Sequence, residues 1–150
     1  MDLQQKIEEI AAPFLKIIDA FMVDIHIAGD GQRKVVQLFV DIDSGITIGQ
    51  CTELNRKIGE ALELQNIITG SYILEVSSPD ITKPLKLLRQ YRKNIGRQFR
   101  VRYRKNGEVV EIIAKLNGIE DESLTFITKS EVSIKVSFHD IIESIEELPW

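Results

Sequence analysis

Two aspartates set two residues apart, Asp41 and Asp43 in "DIDSG", fall on one face of any strand that carries them. Paired carboxylates at that spacing could hold a metal or attack a phosphoryl group, and the segment faintly resembles an aspartate-nucleophile phosphatase signature. Such an enzyme needs a parallel sheet with crossover helices, and further Lys and Asp groups around the phosphate. The pattern around "DIDSG" is a hairpin in a small unit, so Asp43 and Ser44 are read as turn and cap residues. His26 follows Asp24 on a predicted strand, and His139 opens a one-turn "HDII" in which Asp140 could cap. Neither histidine has a second His or Cys at ligand spacing, so a zinc site is not expected. Cys51 falls on an apolar helical stripe, where a thiol behaves as a small hydrophobe. Gly29 and Gly31 are turn glycines, with no helix-opening pattern after them that could cradle phosphate. The expectation is a protein without catalytic residues, metal or cofactor.

The one concentrated signal is basic. Lys83, Lys86, Arg89, Arg92, Lys93, Arg97, Arg100, Arg102, Arg104 and Lys105 fall in a stretch that contains no Asp or Glu. The net charge of −4 divides into −7 over residues 1–80, +10 over 81–105 and −7 over 106–150. Local potential rather than the total steers an anion. On a helix, Arg89, Arg92 and Lys93 share a face. On the strand that follows, Arg100, Arg102 and Arg104 share the face opposite Phe99, Val101 and Tyr103. Cations in rows suit a phosphate backbone. The plainer alternative is a solvated face neutralised by the acidic ends of the chain. No RNP-type aromatic pair and no helix-turn-helix accompanies the run, so base-specific reading is not implied.

The elements that must position these cations follow from periodicity. "DLQQKIEEIAAPFLKIID" spaces Leu3, Ile7, Ile10, Ala11, Phe14, Leu15 and Ile18 as an amphipathic helix, kinked or restarted at Pro13. "FMVDIHIA" and "KVVQLFVDID" alternate apolar and polar residues around the turn "GDGQ", which predicts a hairpin. Thr47-Ile48-Gly49-Gln50 has the form of a capping box, opening a helix to about Leu64 with Ile48, Cys51, Leu54, Ile58 and Leu62 buried. "SYILEVSS" returns as a strand. Residues 1–80 thus read helix–strand–strand–helix–strand. Ser78, Pro79, Asp80 and Pro84 form the joint. A short basic helix follows, with Pro84 near its first turn and Gly96 just past its end. Five short strands then suggest a small SH3-like or Sm-like β-barrel, giving an α+β chain with a second domain over 81–150.

At 150 residues, 43% apolar and 28% charged, the composition is that of a soluble globular protein. No run is long and apolar enough to span a bilayer, and no signal peptide opens the chain. A single cysteine fits a reducing cytosol, so a cytoplasmic protein is expected. Nothing in the chain points to oligomerisation, which leaves a monomer.

Three segments carry a family resemblance: "VDIDSGITIGQCTELNRKIGEAL", "YILEVSSPDITKPL" and Ile95-Gly96, followed by a small barrel. Together they resemble the bacterial ribosome maturation factor RimP family over nearly the whole chain. The family's usual joint is Ser-Ser-Pro-Gly, two variable residues, then Arg-Pro-Leu. Here Asp80 stands where glycine is usual and Lys83 where arginine is usual. The first change bears on turn geometry, and the second keeps the charge but loses the planar fork. The resemblance implies a two-domain, non-enzymatic assembly factor of the cytoplasm. It would bind free or precursor small ribosomal subunits, help their rRNA fold and help the twelfth small-subunit ribosomal protein join. The alternative is a protein-interaction module that binds a ribosomal protein without touching RNA.

Overall fold

The computed structural model describes residues 1–29 and 32–148. Asp30 and Gly31 of the "GDGQ" turn, and Pro149 and Trp150 at the end, lie outside the described residues. The chain divides into two compact units, Met1–Pro79 and Asp80–Trp150.

In the first unit, α1 (Leu3–Ile17) opens at Asp2, whose carboxylate accepts from the Gln5 amide while the Gln5 side chain answers the Asp2 amide. Its buried stripe is Ile7, Ala11 and Leu15, four residues apart. Pro13 sits inside the helix and does not restart it. The strands β1 (Phe21–Gly29) and β2 (Arg33–Asp41) pair antiparallel. After them, α2 (Ile48–Gln65) carries the expected Thr47–Gln50 capping box, and β3 (Ser71–Ser77) follows. The sheet order is β1-β2-β3, with β2 and β3 parallel. So β2-α2-β3 is a crossover unit. The element order is as expected, but the reading of the "DIDSG" region as a hairpin without a parallel crossover is corrected here: hairpin and parallel pair share the central strand. Both helices bury their stripes in one cluster with Ile25, Val36, Leu38 and Val40, making two layers.

Ile48 does not join the stripe; it is 88% exposed. At about 100° per residue it lies roughly 75° from the mean direction of Cys51, Leu54, Ile58 and Leu62. Asp41, at the carboxyl end of β2, is fully buried. Its Oδ1 accepts from the amides of Ile42 (2.9 Å) and Ile46 (3.0 Å). Asp43 and Ser44 are the central residues of the turn closed by the Gly45 amide on the Ile42 carbonyl. The Asp41 carboxylate thus ties this loop to the end of β2.

The second unit is an antiparallel sheet of β4 (Gln98–Lys105), β5 (Glu108–Glu120), β6 (Ser123–Thr128), β7 (Ser133–Ser137) and β8 (Ile141–Glu146). Its order is β7-β6-β5-β4-β8, so the last strand returns to pair with the first. Among the described residues no ladder joins β7 to β8, and the sheet is open. Asn106 and Gly107, both at positive φ, form the expected two-residue turn. A 3₁₀ turn, Phe138–Asp140, precedes β8, and Ser137 rather than Asp140 caps it by accepting from the His139 amide. Phe99, Val101, Leu116, Leu124 and Phe126 form the core together with Tyr91, all fully buried. The two units are thus an α/β layer and an all-β sheet, an α+β chain.

Candidate nucleic-acid interface

The cationic stretch begins at the joint. Asp80 accepts at Oδ1 from the amide of Thr82 (2.9 Å) and from its hydroxyl (2.7 Å). The Lys83 amide returns to the Asp80 carbonyl. These bonds, followed by the Lys83 charge, hold the Asp80 carboxyl below its ordinary value. Residue 80 does not have a positive φ. Glycine's conformational freedom is not used there, and an aspartate builds the turn through its side chain instead.

From Lys83 to Leu87 the chain is irregular and mostly exposed, with the Leu85 amide bonded to the Ser144 carbonyl of β8 (2.8 Å). Pro84 therefore does not start a helix. The helix that follows is a 3₁₀ segment, Leu88–Asn94, within the second unit. The reason lies in its polar residues. Gln90 Oε1 accepts from the amides of Lys86 (2.6 Å) and Leu87 (2.8 Å), fixing the start. Tyr91 is buried, and its hydroxyl donates to Ser144 Oγ at 2.8 Å. Burial pushes its phenol up, with the Ser144 bond pulling the other way. Asn94 donates to the Gln90 carbonyl (2.6 Å). With Gln90, Tyr91 and Asn94 turned inward, half-buried Arg89 and exposed Arg92 lie three residues apart, a spacing that a 3₁₀ turn brings to one side. Lys93 is half-buried beside them. Lys86, Arg89, Arg92 and Lys93 are each engaged with another group. Gly96, at φ +94°, ends the segment as its position in the sequence suggested.

On β4 the alternation is as expected. Phe99, Val101 and Tyr103 are buried, while Arg100 and Arg104 are exposed and Arg102 is half-buried. The Tyr91 ring lies 6.4 Å from that of Phe99, so the 3₁₀ segment covers the inner face of β4. The three arginines leave from the other face. The ten cations therefore fall into two groups rather than one continuous row, six before β4 (Lys83 to Arg97) and four on it, of which Arg100, Arg102 and Arg104 share its outward side.

Acids meet Arg97 and the cations of the strand. Arg97 pairs with Glu146 at 3.2 Å and Arg100 with Glu147 at 3.2 Å. Arg102 sits in register between Glu111 on β5 and Glu143 on β8, and Lys105 opposite Glu108. Arg104 has Val109 opposite it. Exposed Ile113 lies opposite Arg100, and Val109 is exposed as well. Glu143, Glu146 and Glu147 are distant in sequence, so segment charge alone could not reveal them, whereas Glu108 and Glu111 lie just across the Asn106-Gly107 turn.

The other chemical candidates are accounted for locally. His26 contacts Asp24 (3.1 Å) and the Phe39 ring edge-on, and His139 contacts Glu122 (2.8 Å). Cys51 is buried, and burial followed by the Asp41 charge raises its thiol above the usual range. Among the described residues no group of three His, Cys, Asp or Glu side chains could hold a metal. None of their helices is long and apolar enough to cross a membrane.

Comparison with known proteins points one way. Residues 10–82 match the profile of the RimP N-terminal domain. A protein named ribosome maturation factor RimP, from Nitratidesulfovibrio vulgaris (strains DP4 and Hildenborough), is 41% identical over 96 residues, covering 64% of this chain and 55% of the relative. One of the same name from Chlorobium phaeobacteroides is 36% identical over 115 residues, covering 71% of this chain and 66% of the relative. The chain thus spans between about half and two thirds of the length of these relatives.

Proposed function

Because the chain belongs to the RimP family, we propose that it is a ribosome maturation factor acting by binding rather than catalysis. On this reading it associates transiently, as a cytoplasmic monomer, with free or precursor small ribosomal subunits. There it assists late folding of their rRNA and entry of the twelfth small-subunit protein. The second unit is then an SH3-like barrel whose strands curl round the core of Phe99, Leu116 and Phe126. The observation that carries the RNA contact is the acid-free stretch of 81–105 with its ten cations. Phosphate contacts of this kind bind without reading bases, and they release counterions.

The test separates the two cationic groups. Arg89→Glu with Arg92→Glu alters the first, and Arg104→Glu with Lys105→Glu the second; none of the four lies in the buried core. Removing two phosphate contacts lowers the log–log salt slope of small-subunit binding by about 1.4 to 1.8. Co-sedimentation at several salt concentrations reads this directly. If both double variants bind with unchanged affinity and slope, the stretch does not touch RNA.

A second reading has its own observation. The outward face of β4 and β5 mixes ion-paired arginines with exposed Val109 and Ile113, a composition suited to a protein partner. Nuclease treatment before pull-down distinguishes the two, since a protein contact survives loss of RNA.

A further inference from the structure

We propose that the open edge of β3 is a docking site for an extended basic segment of a partner protein, which adds to the first unit's sheet as a fourth strand. The inference stands on the first unit alone and does not depend on the ribosomal reading.

The backbone defines the site. β3 pairs with β2 on one side, and no described strand of the sheet pairs with it on the other. The Ser71 amide donates to the Gln32 carbonyl (3.0 Å), so Ser71 faces β2. By strand alternation Ile73 and Glu75 do the same, and Tyr72, Leu74 and Val76 turn their backbone groups to the open side. Edge strands are ordinarily blunted by lysine, proline, a bulge or short length. β3 is seven residues of "SYILEVS", with no Lys, no Pro and no break in register against β2. Asn55 of α2 guards part of it, its amide donating to the Leu74 carbonyl (3.0 Å).

A groove runs beside this edge. It measures about 460 Å³ and lies between the first turns of α2 and the end of β3, lined by Ile46, Ile48, Cys51, Thr52, Val76 and Ser77. Ile48, 88% exposed, stands at its wall. A helix flanking an open strand edge is the arrangement by which extended peptides are captured: main-chain bonds bind, and alternate side chains enter the groove.

Charge selects the occupant. Residues 1–79 carry 6 Lys/Arg against 12 Asp/Glu, a net −6. At the edge strand stand Glu75, on β3 itself, and Glu63, bonded to Tyr72. The cation in the groove lining, Arg56, is already bridged to Glu53 and Glu60. Tyr72 donates to Glu63 and Gln37 to Glu75. A polyanion is repelled here, and a lysine- or arginine-rich strand is attracted.

The experiment titrates the isotope-labelled full chain with a synthetic nine-residue peptide alternating lysine and valine. A glutamate–valine counterpart and two lysine peptides, each N-methylated along one backbone edge, serve as comparisons. The lysine peptide is expected to shift the amide signals of Tyr72, Leu74, Val76 and Ile48. One N-methylated form should lose binding while the other keeps it, and the glutamate peptide should bind at least tenfold more weakly. Ile48→Ser, at an exposed position that leaves the core intact, should weaken binding several-fold. The proposal is overturned if no signals move at millimolar peptide, if shifts cluster at residues 83–105 instead, or if both N-methylated forms bind equally. It is likewise overturned if the acidic peptide binds as well, or if β3 amides shift with protein concentration alone, which would make a second copy the occupant.

Discussion

Asp80 holds its turn with two hydrogen bonds to Thr82, and both favour the charged carboxylate. Its folded value is therefore depressed below the ordinary 3.8. A depressed carboxylate contributes stability that is present above the unfolded value and is lost as pH falls through the folded one. The effect of Asp80 on the joint should thus be flat near neutrality and fade only in acid. A carboxyl titration by NMR should find its midpoint below 3.8, and Thr82→Ala should move it back toward the ordinary value. A midpoint at or above 3.8 in the native chain would show that the turn is not held this way. Tyr91 offers a buried counterpart. Tyr91→Phe leaves the fully buried Ser144 hydroxyl without its donor. Losing that bond should cost about 1 kcal/mol, read as a lower urea midpoint for second-unit signals; an unchanged midpoint would argue that the bond contributes nothing.

At the scale of elements, what could be read from the chain was whatever repeats along it. The stripes Ile7–Ala11–Leu15 and Cys51–Leu54–Ile58–Leu62 are local periodicities, and both helices stand where the spacing puts them. So does the capping box at Thr47. Pairing between strands is not local. Helix–strand–strand–helix–strand is compatible with more than one sheet order, and nothing in "SYILEVSS" says that it runs parallel to β2. The spacing of the basic residues predicts a short helix with Pro84 near its first turn, whereas the segment is 3₁₀ and begins only at Leu88. Its buried residues Gln90, Tyr91 and Asn94 are polar or amphipathic, and an apolar stripe could not reveal them. The glutamates that β8 brings to the β4 arginines were hidden as well, since β8 reaches β4 only in the folded sheet, whereas Glu111 of β5 follows from the Asn106-Gly107 hairpin. The two helix starts make a comparison. Thr47→Ala removes an exposed cap and should cost about 1 kcal/mol. Gln90→Ala strips the acceptor from two part-buried amides at once, Lys86 and Leu87. It should cost more, about 1–3 kcal/mol. Hydrogen exchange at Lys86 and Leu87 should quicken in Gln90→Ala and not in Thr47→Ala.

At the scale of the molecule, the two units hold separate apolar clusters with no residue in common. Each has fewer than 80 residues, a size at which a single core leaves only a few kcal/mol of net stability. A core truncation in one unit is then large against that unit's own margin. Ile58 is fully buried between α2 and the sheet, and Ile58→Ala should cost about 2–5 kcal/mol. If the units unfold as separate cooperative bodies, that loss melts α1, α2 and β1–β3 while amides of β4–β8 keep their native urea midpoint. A single shared transition, shifted equally in both sets of amides, would instead mean that the chain unfolds as one body. The answer bears on function because charge divides along the same line, −6 before Asp80 and +2 from Asp80 onward. Should Ile58→Ala leave the second unit folded, salt-dependent binding to small subunits should persist in that variant at a urea concentration that melts only the first unit. Capture of the basic peptide at β3 should be lost under the same conditions. One substitution would then separate an RNA-facing unit from a protein-facing one within the same chain.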